Sequence, residues 1–211
     1  MHRVTTIDAE VAGEAVRLVV GGGPSVPGRS MAEKTAWFRR HGEALRTCLM
    51  LEPRGHAGMH GALLTEPVSP MAHAGLISMH AAGCPLLSGE GVIAAVTIAL
   101  EHSLIAGADE ELLLDTPVGL VRARPQYAPP APNAPVAPNV PRVSRVALTG
   151  VPSFVHSAGL PIHIGTRTIT VDIAFGGEFY AIADSEAIGI PIDMVNASRL
   201  VRMGLDIKRA V

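Results

Sequence analysis

The chain has 211 residues, enough for one sizeable core or two small ones, and its 48% hydrophobic against 17% charged content excludes extensive disorder. A net charge of −2, with no basic run longer than Arg39-Arg40, excludes the basic surface that nucleic acid requires, and the two cysteines, Cys48 and Cys84, exclude a disulfide framework. No basic-then-apolar leader opens the chain and no apolar run is long enough to span a bilayer, so the sequence reads as a cytoplasmic protein with neither membrane nor nucleic acid as partner.

Aromatic residues make up only 3% of the chain while Gly (22) and Pro (17) are abundant, which points to an α/β or α+β protein of short strands with an aliphatic core. Residues 4–7 and 15–20 read as strands, and Gly21-Gly22-Gly23-Pro24 ends the second. A phosphate loop there would need a Gly-Lys-Ser/Thr ending, which is missing, so the glycines read as a turn. Ser30 with Glu33 three residues on is a capping-box spacing, and one helix is expected from Met31 towards Met50. Ala36, Phe38, Leu45 and Leu49 supply its apolar face, and Glu33, Lys34, Arg39, Arg40 and Glu43 its solvent face.

Residues 59–64 and 75–79 read as strands, and the second leads through His80-Ala81-Ala82-Gly83 into a loop. Gly and Pro break the backbone as far as Pro85, Ser88 is a good N-cap, and residues 92–101 form a small-residue apolar run, so a buried helix starts after Ser88. Ser88, Gly89, Glu90 and Gly91 then lie where backbone N–H groups leave the helix end, a place suited to a carboxylate; the plainer alternative is that Ser88 only caps the helix. Residues 110–114 and 118–124 read as strands joined by an Asp115-Thr116-Pro117 turn. The proline-rich residues 125–141 cannot continue a sheet or helix and read as an exposed connector. Beyond it, residues 143–148, 160–164, 168–174 and 179–183 are β-like, with Gly176-Gly177 as a tight turn, and a last helix starts at Asp193 or Ser198.

Other chemistries fit poorly. His56 and His60 have i, i+4 spacing, with His73 and His80 after them, but no cysteine or carboxylate completes a metal-ligand spacing, so no metal is expected. A serine hydrolase would need Gly-x-Ser-x-Gly, whereas Leu86 and Glu90 stand two before and two after Ser88. Cys84 and Cys48 read as buried structural thiols.

Several segments, in this order, resemble the motifs of the proline racemase family: Thr6-Ile7-Asp8-Ala9-Glu10-Val11-Ala12-Gly13-Glu14-Ala15, Met50-Leu51-Glu52-Pro53-Arg54-Gly55-His56, Leu64-Thr65-Glu66-Pro67-Val68-Ser69-Pro70, Gly83-Cys84-Pro85-Leu86-Leu87-Ser88-Gly89-Glu90, Asp115-Thr116-Pro117-Val118-Gly119, Val151-Pro152-Ser153-Phe154 and Asp172-Ile173-Ala174-Phe175-Gly176-Gly177-Glu178-Phe179-Tyr180. The resemblance implies an α/β (α+β), diaminopimelate epimerase-like fold of two similar lobes facing each other across a cleft. On that pattern residues 1–124 form the first lobe, 125–142 a connector, and 143–211 the beginning of an incomplete second lobe. It implies chemistry at the α-carbon of proline or a hydroxyproline without a cofactor; an incomplete second lobe would expose apolar surface, so self-association as a homodimer is expected.

By the same resemblance Ser88 stands at the position of the family's first catalytic cysteine, Glu90 replaces the motif histidine, and Gly89 and Glu90 lie beside the substrate carboxylate. Glu10 stands where a histidine is common. A serine hydroxyl is a far weaker acid than a thiol, so Ser88 does not serve as the charged base of a symmetrical two-base racemase. It can relay a proton or support a one-sided elimination. The resemblance therefore leans to the trans-3-hydroxy-L-proline dehydratases, with a proline racemase or 4-hydroxyproline 2-epimerase as the alternative. The chain stops at Val211 before the family's second motif, Asp-x-x-x-Cys-Gly-Thr-Gly, which leaves open two readings: a fragment or truncated form of a dehydratase, or a member that only binds a proline-like ligand.

Overall fold

The computed structural model describes residues 3–105, 110–129 and 142–211. The chain divides into two compact units, Met1–Val151 and Pro152–Val211.

The first unit is built on a seven-stranded sheet whose spatial order follows the chain: β1 (Thr5–Val11), β2 (Glu14–Gly21), β3 (His60–Thr65), β4 (Ala74–His80), β5 (Leu112–Thr116), β6 (Gly119–Tyr127) and β7 (Val143–Thr149). Neighbours joined by short turns pair antiparallel, as β1 does with β2 across Ala12-Gly13, both at positive φ. The two parallel pairs, β2 with β3 and β4 with β5, are the two that need a crossover, and each has a helical one. The first crossover carries α1 (Met31–His41) and α2 (Glu43–Met50); the second carries α3 (Gly89–Glu101).

The strand period of two sorts the core into layers. Leu18, Ala62 and Leu76 pack with Val92, Ala95, Val96 and Ile98 of α3. Their sequence neighbours Val19, Leu63 and Ile77 pack instead with Met31, Phe38, Leu49 and Met50 of α1 and α2. Because α3 touches β1, β2, β3, β6 and β7, edge strands included, the sheet curls around it. This explains the small-residue, all-round apolar sequence of α3: Gly91, Ala94, Ala95 and Ala99 let strands approach from several sides, and eight of its thirteen residues are buried.

The second unit is a three-stranded antiparallel sheet ordered β10 (Phe179–Ala183), β9 (Arg167–Phe175) and β8 (Phe154–Ile164), with the short α4 (Ser185–Ile188) and α5 (Ala197–Ala210). Ile162, Ile169, Val171, Ile173, Ile188, Ile190 and Ile207 form its core. Phe154, Phe175 and Phe179 stand in one register row across the three strands.

Four expectations need correction. The helix expected from Met31 to Met50 is two helices. The break is at Gly42, where a Cβ would come within 2.4 Å of the Phe38 ring, so the chain turns over that buried ring. Lys34 is not on a solvent face: it is 6% exposed and its Nζ donates to the Glu66 carbonyl at 2.5 Å. Pro125 does not end the strand, because β6 runs to Tyr127. At Pro125 the strand pairs with β7 alone, opposite Val146, since the register with β5 ends at Ala123, and the missing N–H is needed by no strand on that side. The rest of the proline-rich stretch, 130–141, lies outside the described residues. Finally, residues 143–149 do not open the second unit: β7 pairs with β6, and the boundary falls at Val151 and Pro152.

Candidate functional site

The first turn of α3 is assembled as its sequence suggests. Ser88 has extended backbone geometry, its side-chain oxygen accepts from the Gly91 N–H at 3.0 Å, and its carbonyl accepts from the Val92 N–H at 3.0 Å. The amides of Gly89 and Glu90 are the two of this turn that Ser88 does not claim, and they stand at the positive end of the helix. Gly91 is tightly packed: a Cβ there would lie 3.1 Å from Ser88 Oγ and 3.3 Å from Ser88 Cβ, so the Ser88 side chain would have to give by a few tenths of an ångström. Gly89 is exposed, and a Cβ on it would meet nothing within 4 Å.

Ser88 is 7% exposed, and two contacts orient its hydroxyl. It donates to Glu90 Oε2 at 3.3 Å while accepting from Gly91, so one lone pair is committed and the other is not. Glu90 is half-buried and its carboxylate turns back onto Ser88. The geometry thus holds a hydroxyl between a carboxylate that accepts from it and a helix end that can hold an anion.

The other motif segments hold the scaffold. Asp8 forms a two-point ion pair with Arg17, 2.8 and 2.7 Å, and Arg17 Nη1 also donates to the carbonyls of Leu49 and Arg54. Asp115, 8% exposed, accepts from the Val68 and Ser69 amides at 2.9 and 2.7 Å, which ties two of the motif segments together. Asp115 and Thr116 belong to β5 rather than to the turn expected there. Glu10 accepts from the Gly13 amide at the β1–β2 turn.

His60 and His80 are register partners on β3 and β4 with ring centroids 6.3 Å apart, but among the described residues no third ligand joins them. His56 Nδ1 accepts from Gly58, His73 Nδ1 from Leu113 and His80 Nδ1 from Ala82, and among the described residues no group of three His, Cys, Asp or Glu side chains is placed to hold a metal. No helix among them is long and apolar enough to cross a membrane.

Cys48 is exposed, against the expectation of a buried thiol, because it lies on the outer side of α2. Cys84 packs against the Phe38 layer, and burial pushes its thiol up in spite of Arg39 and Arg46 nearby. A raised folded value favours the neutral thiol, so this contribution to stability is present below the ordinary thiol value of about 8.5 and is lost as pH rises through the folded one. Iodoacetamide at pH 8 is expected to label exposed Cys48 before half-buried Cys84, read by peptide mass; equal rates would contradict the partial burial of Cys84.

Two residues matter that the sequence reading assigned to solvent or passed over. Arg39 and Arg46 both reach the loop before Ser88, and their only signal in sequence is position on the crossover helices.

Comparison with known proteins agrees with this architecture. The family model described as proline racemase matches residues 6–211. The chain is 37% identical over 209 residues to a trans-3-hydroxy-L-proline dehydratase of Bacillus cereus, covering 98% of this chain and 59% of the relative. It is 33% identical over 208 residues to a proline racemase of Clostridioides difficile, covering 97% of this chain and again 59% of the relative. The crystal structure of a hydroxyproline epimerase from Agrobacterium vitis with bound trans-4-hydroxy-L-proline superposes with a TM-score of 0.84 at 32% identity, over 96% of this chain and 57% of that one. The chain therefore spans less than two thirds of the length of these relatives.

Proposed function

The chain belongs to the proline racemase family, and from that premise we propose that it acts on trans-3-hydroxy-L-proline as a cofactor-independent dehydratase, with Ser88 as its acid/base residue and the Gly89 and Glu90 backbone as the cradle of the substrate carboxylate. The observation that carries the reading is the Ser88 hydroxyl, fixed between the Gly91 amide and the Glu90 carboxylate at the head of α3.

In this reading the uncommitted lone pair of Ser88 accepts the α-proton as Ser88 passes its own proton to Glu90. The C2–H electrons form the C2=C3 bond, the C3–O bond breaks, and the departing hydroxyl takes up a proton from solvent to leave as water, while Glu90 returns to solvent the proton it received. The enamine product then tautomerises to the cyclic imine. Negative charge developing on the substrate carboxylate is stabilised by amides already oriented before reaction. A serine supports this one-sided loss of water better than it supports a racemase, where each of two residues must act as base in one direction and as acid in the other. The apolar side chains exposed on the second unit, among them Phe154, Val155, Phe179 and Ile182, support association as a homodimer.

The test offers trans-3-hydroxy-L-proline, trans-4-hydroxy-L-proline and L-proline separately in D2O, following imine formation and deuterium at the α-carbon, with sedimentation velocity on the same preparation. Water loss from the 3-hydroxy substrate alone is the expected result. Deuterium incorporation with inversion of the other two would make it an epimerase or racemase. A folded protein that is silent with all three, yet binds pyrrole-2-carboxylate, a planar mimic of the deprotonated substrate, would be a binding member of the family and not an enzyme.

A further inference from the structure

Between the end of β4 and the start of α3 the chain runs for eight residues, 81–88, and two arginines from the first crossover hold it by its carbonyls. Arg46 is 6% exposed. Its Nη1 donates to the carbonyls of His80 and Ala81 at 2.9 and 2.6 Å, while Nε and Nη2 grip Glu43 at 2.8 and 2.5 Å, which fixes the plane of the guanidinium. The His80 carbonyl also accepts from the Gly83 amide at 3.2 Å, so the turn that Arg46 holds is itself closed. Arg39, exposed on α1, directs Nε and Nη2 to the Cys84 carbonyl at 3.2 and 2.5 Å.

We infer that Arg46 and Arg39 are positioning residues for Ser88, fixing the loop that sets where its hydroxyl and the first α3 amides stand; this rests on the reading of Ser88 as the acid/base residue. The Cys84 carbonyl belongs to the peptide bond with Pro85, so Arg39 orients the plane from which the proline starts. Proline fixes its own φ and restricts the residue before it. Leu87, two residues further on, packs against the α3 core layer. Little torsional freedom remains between the gripped carbonyl and Ser88, and a displacement at Cys84 is transmitted rather than absorbed.

The body of α3 does not depend on this grip, because Val92, Val96 and Ile98 are buried against strands of the sheet. Loosening the loop therefore moves the first turn and leaves the helix in place. That separates a positioning role from a merely structural one.

The experiment measures pyrrole-2-carboxylate affinity by calorimetry and backbone amide exchange by mass spectrometry for the wild type, Arg39→Ala, Arg46→Ala, Arg46→Lys and Arg40→Ala. Among the described residues Arg40 bonds only within its own helix, to the Ala36 carbonyl, and it serves as the control. Exchange within residues 82–88 is expected to speed up by roughly tenfold in Arg39→Ala and more in Arg46→Ala, and probe affinity to fall by about tenfold, with exchange across residues 92–100 unchanged. Arg46→Lys, which keeps the charge but not the two-sided fork, recovers only part of the affinity, and added methylguanidinium restores part of it to Arg46→Ala. Unchanged exchange at 82–88, or faster exchange with unchanged affinity, overturns the inference. If Arg46→Ala does not fold, Arg39→Ala decides alone. A wild type that fails to bind the probe overturns the reading of the site instead, and the exchange measurements then still decide whether the arginines hold Ser88.

Discussion

Alanine at position 88 is expected to give a folded protein that no longer turns over trans-3-hydroxy-L-proline, with activity reduced by at least about a hundredfold, the usual minimum for loss of a positioned acid/base group. The substitution removes three things at one atom: the bond from the Gly91 amide, the bond to Glu90, and the lone pair left for substrate. Loss of the cap alone costs about 1 kcal/mol. In a unit of this size that lowers Tm by roughly 2–4 °C, a shift small enough to leave the protein folded at assay temperature. The two effects differ by an order of magnitude in their consequences, which makes the variant diagnostic. A small drop in Tm with activity retained would reduce Ser88 to a helix cap and sink its catalytic assignment. Ser88→Cys is the useful companion, since it puts a thiol at the same helix end, where the positive end of α3 favours the thiolate. It is expected to restore exchange of the α-proton to a protein that Ser88→Ala has silenced, and calorimetry against pyrrole-2-carboxylate would show whether the site itself survives both changes.

Much of the first unit was legible because its signals are local. The Ser88 cap, the apolar run of α3 and the short apolar runs of β2, β3 and β4 bounded by turn residues are each read within a dozen residues. What local pattern could not give was the partner at long range. Lys34 and Arg39 look like an ordinary charged helix face until the fold brings Glu66 and Cys84 beside them, 32 and 45 positions along the chain. Gly42 is an unremarkable glycine in sequence, and only the Phe38 ring beneath it explains the break between α1 and α2. Pro125 argued against a strand, and it is tolerated only because the register leaves one side of β6 unpaired at that point. The site was legible as a helix end, but the turn of Glu90 onto Ser88 was not. Nothing in the local pattern indicated that the Glu90 carboxylate would accept from the hydroxyl two residues before it.

Phe38→Ala is expected to be the most destabilising single change in the first unit, by about 3–5 kcal/mol, the range for emptying a buried aromatic site. Phe38 has no exposed surface and packs among Met31, Leu49, Met50, Ile77 and Met79, so the ring joins both crossover helices to the sheet. Collapse into the cavity is limited on one side, since the chain already crosses over the ring at Gly42 with no room for a Cβ. Against a typical domain stability of about 5–15 kcal/mol, the loss is a large share of the whole. It also reaches the site, because Arg39 and Arg46 ride on the two helices that Phe38 anchors, and their grip on the Ser88 loop loosens before the unit unfolds. Trp37, the only tryptophan in the chain, sits beside Phe38 against the same layer and gives a fluorescence signal specific to this unit. Urea titration followed at Trp37 should show the midpoint falling steeply in Phe38→Ala. The core of the second unit, built on Ile162, Val171 and Ile207, does not include the ring and should keep its amide protection. A loss under about 1 kcal/mol at Trp37 would mean that the α1–α2 layer is held by something other than this ring.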